Sequence, residues 1–405
     1  MRFVYLDAGL RNDVGHHANF CRHIVGELRG RGIETLIFGH RDLDPALRQE
    51  LGAIPHFRAY AYAESDGDPF CGWLTGFESL ARTTYEDVTA LPAIGRSDVL
   101  YASSVRPVQF AALVELHRTV SSDRRPTVVA ESVSTGLTVQ QTARGLEAIV
   151  PHPRRDPKAP LFRFVARRLP HQEGNRFHFI TFGRLPSDLF SMLLERPVPT
   201  LPLPYRAVTP LRNRAGARPV VVAILGHQKL AKGYDQLPDI VADLLRARPD
   251  IRLLIQHVDP RGTPETQQAM RAIAASDDRI VLDERPAGRT GWPKLLEMSD
   301  LILCPHRPEF YEAGLSTVAA EALANGIPLV VPAGTPLETM LADFGGAGTT
   351  FDRFEPGAIV AATGRALDDF ERFAGLAYAA ALRWSEMHGP ARMVDALLSM
   401  IAPSR

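Results

Sequence analysis

"EAGLSTVAAEALANGIPLVVP", residues 312–332, comes shortly after an apolar run, "LILCPH" (301–306), and with it forms one strand–loop–helix–strand unit. Gly314 and Ser316 open the helix, Gly326 closes it, and "PLVVP" (328–332) supplies the next strand. Glu321 stands inside that helix among alanines and valine. Free amides and the helix dipole at Gly314–Ser316 favour a phosphate. An ionised carboxylate only accepts hydrogen bonds, and a ribose offers it two neighbouring hydroxyls. A carboxylate below a phosphate-binding helix mouth is the pattern expected of a nucleotide site. The plain alternative is a Glu that faces solvent on an Ala-rich helix.

The same alternation extends outward from this unit. Strands are predicted at "VVVAIL" (220–225), "IRLLIQ" (251–256), "RIVLDE" (279–284), 301–306 and 328–332, with helices such as "YDQLPDIVADLLRAR" between them. Upstream, "RFVYLDA", "IETLIFG", "DVLYAS" (98–103), "PTVVAES" (126–132) and "FHFITFG" (177–183) read as strands of a first set, and the last fifty residues read as helical. Strands that alternate with helices imply parallel sheets covered on both faces. A proline-rich stretch separates the two sets. The chain therefore divides into a domain at 1–200, a linker at 201–218, a second domain at 219–386 and a terminal helix at about 387–405.

Composition narrows the class. With 405 residues the chain exceeds one ordinary core; 46 basic residues balance 46 acidic ones, which removes a global electrostatic case for nucleic acid. No run of about eighteen apolar residues is present, and the N-terminus turns polar too soon for a signal peptide. Cys21, Cys71 and Cys304 match no zinc or redox spacing and read as reduced residues of a cytoplasmic protein. One basic, amphipathic segment, 152–172, could rest on anionic lipid at the inner face of a membrane; a solvated helix face is the simpler reading.

Three loops carry the candidate chemistry. In "AILGHQKLAKGYDQL", Gly226 begins a turn after a strand, and Lys232-Gly233 precedes a helix, where a lysine can neutralise a phosphate. The opening stretch supplies Gly314, Leu315, Ser316, Thr317 and Glu321. In "VLDERPAGRTGWPKLL", Arg285 stands in a loop that can line a base pocket. In the first domain, "DVGHHANF" places Gly15, His16 and His17 after the first strand, while Arg106 and Glu131 fall at strand ends.

The spacing of the three loops of the second domain resembles the retaining, nucleotide-sugar-dependent glycosyltransferases of the GT-B fold, the large group 1 (family 4-like) family. Gly226 to Lys232 reproduces the family's Gly-to-Lys-Gly spacing, and "EALANGIP" (321–328) matches the end of its Glu-seven-Glu motif. His227 stands where the family has Arg. Ala313 stands where it has the first Glu, with Glu312 one residue earlier. The resemblance implies an α/β protein of two doubly wound Rossmann-like domains facing each other across a cleft, with the C-terminal helix crossing back to the first. It implies that residues 219–386 bind a UDP, GDP or ADP sugar and that 1–200 bind a glycan, lipid-linked or other hydroxyl acceptor, as in bacterial envelope polysaccharide biosynthesis. No bound cofactor and no metal are implied, and no Asp-x-Asp loop stands where it would hold one. Lys232, Gly226, His227, Lys229 and Gly233 would meet the diphosphate, Glu321 the ribose and Glu312 the sugar. Lys232, Glu312, His16 and His17 are the catalytic candidates, with Gly15, Arg106 and Glu131 on the acceptor side. Two rivals are a sugar-nucleotide epimerase, which would need acid and base groups in the cleft that the sequence does not identify, and an inactive scaffold subunit, which the departures at His227 and Ala313 would favour.

Overall fold

The computed structural model describes residues 1–13, 15–63, 72–142, 145–150, 156–169, 176–216, 218–258, 263–311 and 314–402. The chain separates into two units, Met1–Pro204 with Pro390–Arg405, and Tyr205–Gly389.

In the first unit, β1 (Arg2–Leu6), β2 (Glu34–His40), β3 (Ala53–Phe57), β4 (Val99–Ala102), β5 (Thr127–Glu131) and β8 (Phe177–Ile180) form one parallel sheet in the order β3-β2-β1-β4-β5-β8. Between β5 and β8 lies an antiparallel pair, β6 (Thr138–Thr142) and β7 (Gly145–Ile149). The central strands carry Phe3, Tyr5, Leu100, Tyr101, Val128 and Val129, all buried, because helices cover both sheet faces. The helix Pro390–Ile401 belongs to this unit and is tied to it by Arg31, which donates to Asp395 and to the Ala391 carbonyl.

The second unit repeats the plan. Its strands β9 (Val220–Ile224), β10 (Ile251–Gln256), β11 (Ile280–Asp283), β12 (Leu301–Leu303), β13 (Leu329–Pro332) and β14 (Gly348–Phe351) lie parallel in the order β11-β10-β9-β12-β13-β14. Its core joins Val222, Leu253, Ile255, Leu301 and Val330 of the sheet to Leu237, Val241, Leu244, Ile359 and Ala366 of the helices. In both sheets the strand order reverses once, between β1 and β4 and between β9 and β12. At such a point the loops leaving the carboxyl ends diverge and leave a crevice.

Residues 205–216 pack on the second unit. The amides of Val208 and Thr209 donate to Asn325 Oδ1 at 2.9 and 3.3 Å. Arg214 is buried, and its guanidinium donates to the carbonyls of Ser299, Leu296, Asn325 and Gly326. Those carbonyls lie at or just past the C-terminal ends of two helices, Gly288–Met298 and Thr317–Ala324, where intrahelical donors run out; of the four, Leu296 also accepts the Ser299 amide. Burial holds the Arg214 pKa down at about 10, so desolvation opposes the charge that the four carbonyls stabilise. Truncating it exposes those acceptors to an apolar interior. Arg214→Ala should therefore lower the stability of the second unit by roughly 3 kcal/mol; urea unfolding followed at Trp384, which lies in that unit's core, measures it.

Candidate functional site

The two loops at the second reversal carry most of the sequence-predicted residues. After β9 the backbone turns at Gly226 with φ of 92°, open to glycine but strained for other residues. The Gly226 amide donates to Gln256 Oε1 at 2.7 Å, and buried Gln228 donates to the carbonyls of Gln256 and Gly226. This glycine's amide is thus held by its own fold, and the turn offers a close approach rather than an anion donor at Gly226. The approach is used by Lys232, whose ammonium lies where a Cβ of residue 226 would stand. Lys232 ends a short 3₁₀ turn, Leu230–Lys232, and Gly233 follows in the left-handed region. Burial first, and then the like charge of Lys229, lower the Lys232 pKa to about 8. Arg307 joins the two loops: its amide donates to the Ala231 carbonyl at 3.1 Å, and its guanidinium pairs with Asp235 and lies over Phe354.

The second loop leaves β12 through His306. This buried ring lies 3.2 Å from Ser316 Oγ and packs on Tyr311. Burial, then Lys232 and Lys229, push its pKa far below the ordinary range, so His306 is a neutral ring. Ser316 caps the helix Thr317–Ala324 by accepting the Ala319 amide, and the Ala320 amide closes the first turn on the Ser316 carbonyl. The Thr317 and Val318 amides precede the first intrahelical bond. Val318 Cγ2 lies 3.2 Å from where a Cβ of residue 226 would stand, which places this helix mouth beside the Lys232 turn. One turn further in, Glu321 is 5% exposed. The Trp292 indole N–H, on the helix Gly288–Met298, donates to its carboxylate. Burial raises the Glu321 pKa to about 7, with the Trp292 bond opposing the rise. The solvent-facing reading of Glu321 is therefore excluded.

Gly226, Lys232, Gly233, Gly314, Leu315, Ser316, Thr317 and Glu321 thus belong to two adjoining loops and the helix between β12 and β13. Lys229 is exposed at the start of the 3₁₀ turn, and His227 is half-buried in the turn. Arg285 is set apart: it follows the edge strand β11, is 89% exposed at its side chain, and pairs with Asp283. Glu312 lies outside the described residues. The sequence reading missed Trp292, His306, Gln256 and Arg307. His306 was visible as a strand-end histidine after Pro305; the others had no local signal.

In the first unit, His16 and His17 begin the helix His16–Gly30, with Gly15 as an N-cap that supplies no side-chain bond. His17 Nδ1 lies 3.0 Å from Asp7 Oδ2, and its Nε2 lies 3.1 Å from the Tyr62 hydroxyl. An ionised carboxylate only accepts, so Nδ1 is the ring atom that donates toward Asp7, and Nε2 faces the Tyr62 hydroxyl. The ring fills the space where a Cβ of Gly9 would stand. His16 Nε2 lies 3.3 Å from Ser104 Oγ, and Arg106 lies over the Tyr62 ring. Glu131 is buried, accepts from the Ser104 amide and the Ser103 hydroxyl, and is raised to about 7 by burial. Asp7, His16 and His17 follow β1, Ser104 and Arg106 follow β4, and Glu131 ends β5, so these groups flank the reversal of the first sheet, with Tyr62 reaching them from the segment after β3. Of the basic segment, the helix Lys158–Ala166 is described; it buries Leu161, Phe162 and Val165, exposes Phe164, and is followed by Arg167 and Arg168, which pair with Glu195 and Glu115.

Solved structures share this architecture along the whole chain. A sucrose-phosphate synthase from Thermosynechococcus elongatus aligns over 100% of both chains with a TM-score of 0.66 at 14% identity. HepE from Anabaena, solved with UDP and glucose, aligns over 100% of both chains with a TM-score of 0.62 at 14% identity. WaaG, a glycosyltransferase involved in lipopolysaccharide biosynthesis, aligns over 99% of this chain and 100% of its own, at 0.57 and 14% identity. The chain has the GT-B glycosyltransferase fold. No protein-family model matches the sequence, and no curated protein matches it significantly, so the likeness is one of GT-B architecture. Among the described residues no group of His, Cys, Asp and Glu could hold a metal ion, and no helix is long and apolar enough to cross a membrane.

Glu321 gives a sign to the pH dependence of stability. Its folded pKa of about 7 exceeds the ordinary 4.5, so its contribution is full below pH 4.5 and is lost as pH rises through 7. Glu321→Gln removes the buried charge. The variant should match the parent at pH 4.5 and exceed it at pH 8 by up to ~3 kcal/mol, read from thermal unfolding at the two pH values.

Proposed function

We propose that this chain is a glycosyltransferase that moves a sugar from a nucleoside-diphosphate donor to a hydroxyl acceptor. One observation carries the reading. A lysine ammonium and a buried carboxylate flank the same helix mouth at the strand-order reversal of the second sheet, the place where a doubly wound sheet binds ligands. Lys232 and the amides of Thr317 and Val318 are assigned to the diphosphate, with Lys229 beside them. Glu321 is assigned to the ribose. HepE, of the same fold, was solved with UDP and with UDP-glucose, which makes UDP the first nucleotide to try.

In the transfer, the bond between the anomeric carbon and the phosphate oxygen breaks as the acceptor oxygen attacks. Charge accumulates on the departing diphosphate, and preorganised cations and amides stabilise it there. Same-face attack, with the acceptor proton passing to the departing phosphate oxygen, keeps the anomeric configuration and needs no protein nucleophile. Lys232 suits this role because an anion at the helix mouth restores its full charge, and the accompanying proton uptake near pH 8 links binding to that charge. The first unit's reversal, with Gly15, His16, His17 and Arg106, is assigned to the acceptor, a glycan or a lipid-linked hydroxyl. Glu131 holds the Ser103–Ser104 backbone there. Exposed Phe164 beside Arg167 and Arg168 supports peripheral contact with anionic lipid at a cytoplasmic face.

Thermal unfolding against UDP, GDP and ADP tests the donor site. One of them should raise the midpoint, with about 2.7 kcal/mol of stabilisation at a hundredfold excess over Kd. Glu321→Ala and Lys232→Ala should each abolish that shift. No shift with any of the three would remove the nucleotide reading.

A further inference from the structure

The carboxylate assigned to the ribose has a donor of its own. Glu321 is 95% covered, and the indole N–H of Trp292 points at one of its two oxygens. Trp292 itself is half-buried, on the helix Gly288–Met298. The two helices do not meet by that bond alone. Arg214 grips the C-terminal carbonyls of both, Leu296 and Ser299 on one side and Asn325 and Gly326 on the other. Asn325 adds a bond from its side-chain amide to the Glu321 carbonyl at 2.7 Å. The backbone on which Trp292 and Glu321 ride is therefore fixed at one end, and the indole fixes the carboxylate at the other. An ionised carboxylate has four acceptor positions, so one oxygen can hold the indole while the other stays available.

We propose that Trp292 is a positioning residue for ribose recognition: its indole holds one oxygen of Glu321 and turns the other toward the ribose hydroxyls, so that the site separates ribonucleotides from 2′-deoxyribonucleotides. The inference rests on the ribose role given to Glu321 above. An unanchored carboxylate would spend rotamer freedom on each binding event and would point at the hydroxyls only part of the time. A residue that merely filled space would affect both kinds of nucleotide alike.

Calorimetric titration of UDP, GDP and ADP, each beside its 2′-deoxy counterpart, provides the test, on the full chain and on Trp292→Phe. The parent should bind one ribonucleotide about tenfold more tightly than its deoxy form, as expected for a hydrogen bond to a charged acceptor. Trp292→Phe should bring that ratio close to one while leaving the deoxynucleotide affinity within about twofold, which also shows that the variant is folded. In a Glu321→Gln background, the same replacement should cause no further change in the ratio. An unchanged ratio in Trp292→Phe, or equal weakening of both nucleotides, overturns the inference. Failure of the parent to bind any of the six nucleotides instead removes the ribose reading, and the inference with it.

Discussion

A single buried guanidinium joins two helices of the second unit at the end opposite the loops that carry Lys232 and Ser316. Arg214 comes from the irregular segment that precedes β9, yet its donors end two helices at once. Helix C-termini carry orphan carbonyls and a partial negative charge, and a buried cation answers both needs. The arrangement fixes the helix that carries Glu321 against the helix that carries Trp292. It also fastens residues 205–216 to the body of the unit, with Asn325 accepting from Val208 and Thr209. The position of the candidate carboxylate thus depends on a side chain more than a hundred residues earlier.

Burial then sets the electrostatics. Glu321 is raised to about 7, Lys232 is lowered to about 8, and His306 is kept neutral. Each shift has desolvation as its largest cause. Among the described residues, no ion pair joins the Glu321 carboxylate or the Lys232 ammonium to a group of opposite charge, so burial of each goes unopposed by such a partner. A ligand that brings an anion to Lys232 and hydroxyls to Glu321 supplies those partners, and its binding couples to proton uptake at the lysine. The first unit follows a different scheme. There Asp7 and His17 satisfy each other, and Glu131 is spent on two serines, so these three buried groups have partners within the unit.

Much of this architecture could be read from the residues. Strands such as "VVVAI" and "LLIQ" are continuous apolar runs because both of their faces are covered, which marks a parallel sheet. The strands that escaped the reading are β3, "AIPHF", β14, "GTTF", and the β6–β7 pair. β3 and β14 are edge strands, where one side needs no apolar partner, so proline, histidine and threonine obscure the pattern. The loop residues at the reversal were legible for a related reason. Gly226, Lys232, Ser316 and Glu321 lie close to strand ends or helix starts, where local chemistry and local structure coincide. Arg285 met the same criterion; it stands exposed beside Asp283, three residues before the helix that brings Trp292 to Glu321.

The sequence by itself determined the two α/β units and the strand–loop–helix–strand segment around Glu321. These follow from periods of two and 3.6 residues and from turn chemistry, which act over a few neighbours. Only the tertiary structure decided that Glu321 is buried rather than solvated, that Trp292 is its donor, that Gln256 occupies the Gly226 amide, and that Arg214 closes two helices. Each of these joins residues from different elements, at separations from about thirty to more than a hundred positions. Desolvation, which moves every shifted pKa in the site, belongs to the packed molecule as a whole and has no counterpart in any short stretch of sequence.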